Sequence, residues 1–206
     1  MNHSSLYMPV MKKTSGRTKV PTSKILKAAL DLFSTKGYQE TKMSEIARLV
    51  DLSVGALYLR FKSKEELCLA LINDQTKDYE SITQEFTEAG LDPLQALKDY
   101  IGFCLEYAFR KKQLLSMFMR EYRLSFISPM RKKFLASQQG IIIDILAAGV
   151  KKGVFNPVNL EDTSLMIFAC IRGAVMMKIM FGIGDARSMS ASLFNLITLG
   201  IRKERP

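Results

Sequence analysis

The sequence predicts an all-α chain, with a small helical unit towards the N-terminus and a larger helical body behind it. Three observations carry that prediction. Apolar residues recur at helical spacing through most of the length, while alternation at period two is absent over any useful length. The stretch from Thr41 to Leu67 also punctuates itself as two short helices, a tight turn and a capped third helix. With 206 residues and 48% hydrophobic composition, the chain can bury a sizeable core.

Residues 1–20 mix Ser, Gly, Pro and Lys without periodicity and read as a flexible basic arm. Lys12, Lys13, Arg17, Lys19, Lys24 and Lys27 all precede the first acidic residue, Asp31. Ile25, Ala28, Ala29, Leu32 and Phe33 trace a helix from Thr22 that ends at Lys36-Gly37, where Gly37 supplies a left-handed turn. Ile46, Ala47 and Val50 mark a short helix over 43–50. Asp51 tolerates a left-handed backbone, Leu52 plugs the gap, and Ser53 N-caps a two-turn helix over 54–61. Ser63 and Glu66 form a capping box for a long helix from Lys64 towards Phe86, with Leu67, Ala70 and Leu71 inward.

Asp92-Pro93 restarts the chain after a break, and Leu97, Ile101, Cys104, Leu105 and Ala108 follow at helical spacing. A shorter helix rich in Met and Phe covers 114–123, and Ser128-Pro129 opens another that runs to Lys151. Gly153, Asn156 and Pro157 then interrupt. The segment 162–180 is apolar nearly all round and should be buried on two faces. Gly182 and Gly184 make a turn before a last helix, 187–202, with Leu193, Leu196, Ile197 and Gly200 on one stripe. About nine helices result.

The formal net charge of +10 and a pI near 9.5 point to an anionic partner. Cys68, Cys104 and Cys170 are isolated and lack metal-ligand spacing, which suits a reduced cytoplasmic setting. The single histidine, His3, lies in the polar N-terminal arm, and no glycine-rich phosphate loop or paired-carboxylate motif occurs. Neither an enzyme, a cofactor nor a metal is expected. The apolar runs 141–150 and 165–175 are interrupted by Asp144 and Arg172 and are too short to span a bilayer, and no signal peptide is supported.

Helix, turn, short helix and basic cap read together as a helix-turn-helix DNA reader. The residues at this point resemble the tetracycline-repressor (TetR) family of transcriptional regulators. Ala29, Phe33, Gly37 and Thr41 precede Glu45-Ile46-Ala47, then Ser53, Gly55, Leu57-Tyr58, Phe61, Lys64 and Leu67. The likeness spans about residues 22–70; beyond it, only the helix order matches. It implies an N-terminal three-helix helix-turn-helix DNA-binding domain over 21–67 and a C-terminal helical ligand-binding and dimerisation domain over 68–206. It also implies double-stranded operator DNA as a partner, a homodimer through the last two helices (about 162–180 and 187–202), and a small-molecule effector.

By that resemblance the short third helix enters the major groove. Tyr58 gives its hydroxyl to a phosphate, Lys64 adds charge at the start of its helix, and Thr41 caps near the DNA backbone, with Lys42 and Ser44 beside it. Ser53, Val54 and Ala56 fall to base readout, and the last two offer only apolar contact. Four departures blur the operator sequence. Asp51 stands where Gly is frequent, Ala56 replaces a hydroxyl residue, and Arg60 stands where His is common and would reach a phosphate. Lys42 replaces a threonine that would pair with Glu45. Leu57, Phe61, Ile46 and Leu52 read as core, and Gly55 as a point of close approach to the first helix or to DNA.

In the larger domain, Phe103, Tyr107, Phe118, Tyr122, Phe168 and Met176 read either as liners of an adaptable apolar effector pocket or simply as core. Glu121, Arg172, Asp144 and Glu106 each interrupt an apolar face, and either orient a ligand or pair internally. The expected effector is apolar or amphipathic. Two other readings stay open: a helical assembly protein whose helix-turn-helix no longer binds DNA, and an activator rather than a repressor.

Overall fold

The computed structural model describes residues 20–88, 90–121 and 124–201. The arm expected at 1–20 lies outside these residues apart from Val20, and so does the expected pocket residue Tyr122. Among the described residues ten α-helices follow one another: α1 (Thr22–Thr35), α2 (Met43–Leu49), α3 (Val54–Tyr58), α4 (Lys64–Thr76), α5 (Tyr79–Glu85), α6 (Pro93–Arg110), α7 (Lys112–Arg120), α8 (Ser128–Lys151), α9 (Leu160–Phe181) and α10 (Ala186–Ile201).

The caps behave as their residue types require. Ser53 Oγ accepts the Ala56 N–H at 3.1 Å, Ser63 Oγ the Glu66 N–H at 3.0 Å, and Asp92 Oδ2 the Gln95 N–H at 3.0 Å. Gly37 (φ +102°) ends α1 in the left-handed region, and Asp51 (φ +58°) turns α2 into α3.

The long helix expected from Lys64 to Phe86 is two helices. Residues 73–78 (NDQTKD) offer no apolar side chain to bury, and Thr76 Oγ1 donates back to the Ile72 carbonyl at 2.9 Å, loosening the ladder where α4 stops.

Two apolar cores form. One gathers Ile25, Ala29, Phe33, Ile46, Leu57 and Phe61 from α1–α3 with Leu67, Leu71 and Ile72 of α4. It is completed by Leu114 and Met117 of α7 and by Leu124 and Ile127 ahead of α8. The N-terminal core is therefore closed by residues some fifty positions beyond the boundary expected after Leu67. The second core lies among α6, α8, α9 and α10, with Leu97, Tyr100, Ile101, Leu105, Ile142 and Leu146 fully enclosed.

The expectation that 162–180 is buried on two faces does not hold within one chain. Ile167, Ile171 and Val175 point inward, while Met166 and Phe181 are 63% and 60% exposed. On α10, Leu193 and Ile201 are buried, but Leu196 and Leu199 of the same helix face solvent. The apolar runs judged too short for a bilayer sit in helices of 24 and 22 residues, long and apolar enough by length and composition to cross one. Asp144 and Glu106, read as inward polar residues, are both exposed.

Gly149 on α8 faces Phe155, whose ring occupies the space of a Cβ: the ideal position lies 2.0 Å from Phe155 Cδ2, and Phe155 is 1% exposed. Gly149→Ala should therefore overpack the second core and cost about 2 kcal/mol, read as a lowered Tm in calorimetry. An unchanged Tm would mean that the ring relocates freely.

Candidate DNA-reading head and effector cavity

The reading head is built on the connection between α1 and α2. The Lys64 ammonium donates to three carbonyl oxygens of that connection, Tyr38 at 2.7 Å, Gln39 at 3.0 Å and Thr41 at 3.0 Å, and stands 4.5 Å from the Tyr38 ring centroid. Burial lowers the Lys64 pKa, and the charges of Glu121 and Glu40 oppose that shift. Thr41 is 1% exposed and donates its hydroxyl to the Gly37 carbonyl at 2.7 Å. The Tyr38 N–H donates to Glu121 Oε1 at 2.9 Å, and its ring packs against Phe33 and Phe126.

Several expected roles change here. Lys64, expected on a phosphate, has all three ammonium protons committed to the protein backbone. Thr41, expected near DNA, is buried. Arg60, expected to reach a phosphate, donates to the Val20 carbonyl and to Thr22 Oγ1 at 2.6 Å, tying the end of α3 to the start of α1. Lys42 is the N-cap of α2 but its ammonium accepts nothing. Glu45 supplies the working half of the cap by accepting the Lys42 N–H at 2.8 Å, and it also pairs with Lys36 at 2.5 Å.

What remains outward is a compact set. Lys42, Ser44, Ser53, Val54 and Tyr58 are exposed, Ala56 is half-buried, and Leu57 alone of α3 is buried. Among the described residues no atom stands within 4 Å of the place a Gly55 Cβ would take, so close approach to the first helix does not explain that glycine. Leu59 escaped the sequence reading although it is 89% exposed. Its position two residues from both Leu57 and Phe61, which share the core, could only point it away from them.

Behind the head, α7 has two faces. One side carries Leu114 and Met117 into the N-terminal core, while Gln113 Nε2 donates to Asp31 Oδ1 at 2.7 Å and Arg120 to the Thr35 carbonyl at 2.9 Å. The other side, through Leu115 and Phe118 and with Leu114 at the edge, walls a cavity of about 80 Å³ between α7, α6, α8 and α9, and Phe118 touches the N-terminal core as well. Tyr107, Phe118, Phe168 and Arg172 line it as expected.

Three expected liners lie elsewhere. Phe103 packs in the second core against Tyr79, Phe86 and Tyr107. Met176 faces outward, 44% exposed. Glu121 belongs to the reading head through Tyr38. The sequence reading missed Tyr79, Tyr100, Lys111 and Phe134, because only the break after Thr76 and the crossing of α6 with α8 bring them together.

On the cavity floor, the buried Tyr79 and Tyr100 hydroxyls both donate to Gln138 Oε1, at 3.0 and 2.9 Å. Gln138 Nε2 has no partner among the described residues. Burial pushes both phenols above their ordinary pKa and the adjacent Cys104 thiol up to about 11. Cys68, under the head, is likewise raised to about 12 by burial and the Glu121 charge. Both thiols therefore stay protonated and unreactive at neutral pH.

A three-helix head with an exposed short third helix, on a helical body that encloses an apolar cavity, defines a helix-turn-helix regulator. Residues 25–71 match the family model "Bacterial regulatory proteins, tetR family". The HTH-type transcriptional regulator RutR of Escherichia coli K12 is 30% identical over 166 residues, covering 77% of each chain. Among solved structures, NalD of Pseudomonas aeruginosa, the secondary repressor of the MexAB-OprM multidrug efflux pump, superposes with a TM-score of 0.75 at 22% identity, over 89% of this chain and 98% of its own. The fatty acid degradation regulator FadR of Bacillus halodurans does so with a TM-score of 0.73 at 20% identity, over 88% and 100%. The chain belongs to the tetR family and is a ligand-responsive DNA-binding transcriptional regulator.

The hydrogen bonds of Lys64 give a direct test. Lys64→Met should weaken binding to every DNA sequence by loosening the 38–41 turn, while the slope of log K against log salt stays unchanged. A slope reduced by about one in titrations at several salt concentrations would put the ammonium on a phosphate instead.

Proposed function

We propose that the protein is a homodimeric repressor that leaves a pseudo-palindromic operator when a small effector fills the cavity walled by α7. Residues 21–67 act as the reading domain and residues 68–206 as the effector and dimerisation domain. Ser53, Val54 and Ala56 face base edges, with Leu59 adding an apolar contact, while Tyr58, Lys42 and Ser44 hold the sugar-phosphate backbone. Lys64, Thr41 and Arg60 serve by shaping the head.

One observation supports the coupling above others: Leu114, Leu115 and Phe118 of α7 line the cavity, while Leu114 and Met117 of the same nine-residue helix complete the N-terminal core and Phe118 packs against it. A ligand that displaces Phe118 pushes on α7, and through it on the floor of the reading head. Packed interfaces of this kind switch between discrete arrangements instead of deforming smoothly.

The outward faces of α9 and α10 supply the second subunit's seat. Leu165, Met166, Met180 and Phe181 on one helix and Leu196 and Leu199 on the other form an apolar surface that a two-fold partner would cover, making a four-helix interface. Two reading heads then face one side of the DNA, half-sites apart. The work takes place in the cytoplasm, where the operator lies.

Tyr58→Phe should lower affinity for all sequences by a similar factor, whereas Val54→Ala should change which operator is preferred; competition binding over an operator library separates the two. Leu196→Glu should turn the dimer into monomers in analytical ultracentrifugation and cost operator binding at least tenfold, because the heads then bind singly. A dimer that survives this change would remove α10 from the interface.

A further inference from the structure

We infer that the effector is a compact aromatic monocarboxylate, its ring held among the aromatic walls of the α7 cavity and its carboxylate paired with Arg172. The inference rests on the effector role proposed for that cavity and adds the chemistry of what fills it.

Charge in the cavity wall is one-sided. Arg172 and Lys111 line it, and among the described residues no aspartate or glutamate does. Asp78, whose charge reaches Tyr107, lies outside the wall. Lys111 is already engaged, donating to Gln75 Oε1 at 3.1 Å with its ammonium 5.8 Å from the Tyr107 ring centroid. Arg172 is different: no hydrogen bond or ion pair engages its guanidinium among the described residues. The side chain as a whole reaches solvent, yet enough protein surrounds its head that desolvation lowers its pKa, with the like charge of Arg131 acting in the same direction and Tyr79 opposing both. A guanidinium that has lost part of its hydration and gained no anion is a standing cost, and a planar carboxylate offers the bidentate match that removes it.

The rest of the wall decides what carries that carboxylate. The hydroxyl protons of Tyr79 and Tyr100 are committed to Gln138, and that of Tyr107 to the Gln75 carbonyl at 2.7 Å. Among the described residues no free tyrosine donor remains on the floor for a hydroxyl-rich or sugar-like ligand, and the unpartnered Gln138 Nε2 is fully enclosed behind the lining. What the floor presents is ring faces and edges: Tyr79 meets Tyr107 edge-on at 4.8 Å between centroids, and Phe134 lies 6.5 Å from Phe168. Such a surround favours a flat ring by offset or edge contact. A space of about 80 Å³ is smaller than the ~150 Å³ that holds benzene, so even a single ring has to press Phe118 aside to enter, and a long chain or a fused polycycle would have to part the walls much further.

The test uses full-length protein and a pair of isosteres, benzoate and neutral benzamide, each followed by calorimetric titration and by operator release. Benzoate should bind and benzamide should bind at least tenfold more weakly. Arg172→Met should erase the preference and Arg172→Lys should restore part of it. Because Arg172 is exposed, neither variant should unfold the chain, and an unchanged Tm checks this. Equal binding of the two isosteres, retention of benzoate affinity in Arg172→Met, or binding of neither compound would each overturn the inference. Arg172-dependent binding of benzoate without operator release would leave the carboxylate site standing and fell the effector role instead. Release by benzamide as readily as by benzoate would do the reverse.

Discussion

The turn between α1 and α2 is held by one ammonium group. Lys64 reaches back from the first residue of α4 and gathers the carbonyls of Tyr38, Gln39 and Thr41, so residues far apart in sequence share a single charge. The bonds to Tyr38 and Thr41 are half-buried, where an unpaired backbone oxygen is costly, while that to Gln39 is exposed, and the positive charge strengthens each of them. From the other side, Glu121 receives the Tyr38 N–H, and its Oε1 stands 3.2 Å from where a Gly37 Cβ would be. Lys64 and Glu121 thus grip one peptide segment with opposite charges. The angle between α1 and α2, and with it the presentation of α3, follows from that grip.

Placing Glu121 at this point gives the two halves of the chain a polar as well as an apolar connection. Arg131, at the start of α8, donates to the Phe118 and Glu121 carbonyls at 3.2 and 3.0 Å, so the end of α7 is anchored to the helical body while its side chains serve the head. Phe118 lies at the meeting of these contacts, with its ring on the cavity and its carbonyl on Arg131. The cavity is consequently not an appendage of the reading head but shares a wall with it.

Local chemistry was legible in the sequence, and long-range assembly was less so. Ser53, Ser63 and Asp92 are caps because their short acceptors sit at the right offset, and Gly37 and Asp51 turn left-handed for reasons internal to each residue; all five were readable. The all-helical class and the family likeness around Leu57, Tyr58 and Phe61 were readable for similar reasons. The uses of Lys64, Arg60 and Thr41 were not, because a cation or a hydroxyl in a linear pattern does not say whether its nearest acceptor is a phosphate or a carbonyl brought round by the fold. Glu121 misled for the same cause. Its polar interruption of an apolar face was visible, but the Tyr38 N–H waiting for it 83 positions earlier was not. Met176 and Leu196 show the remaining blind spot: an apolar stripe has the same sequence signature whether its own chain covers it or a second copy does.

The share of α7 in the N-terminal core bears on how such regulators can be recombined. A hybrid joined just after Leu67, to graft this reading head onto a foreign effector domain, would carry away α1–α3 but leave behind Leu114, Met117, Leu124 and Ile127, which close its core. The transplanted head would expose Phe33, Ile46 and their neighbours on its underside. The smallest portable module is therefore discontinuous, taking residues 22–76 together with the segment around 112–127. DNA specificity and signal specificity travel separately in this chain only if that second segment is redesigned to fit both.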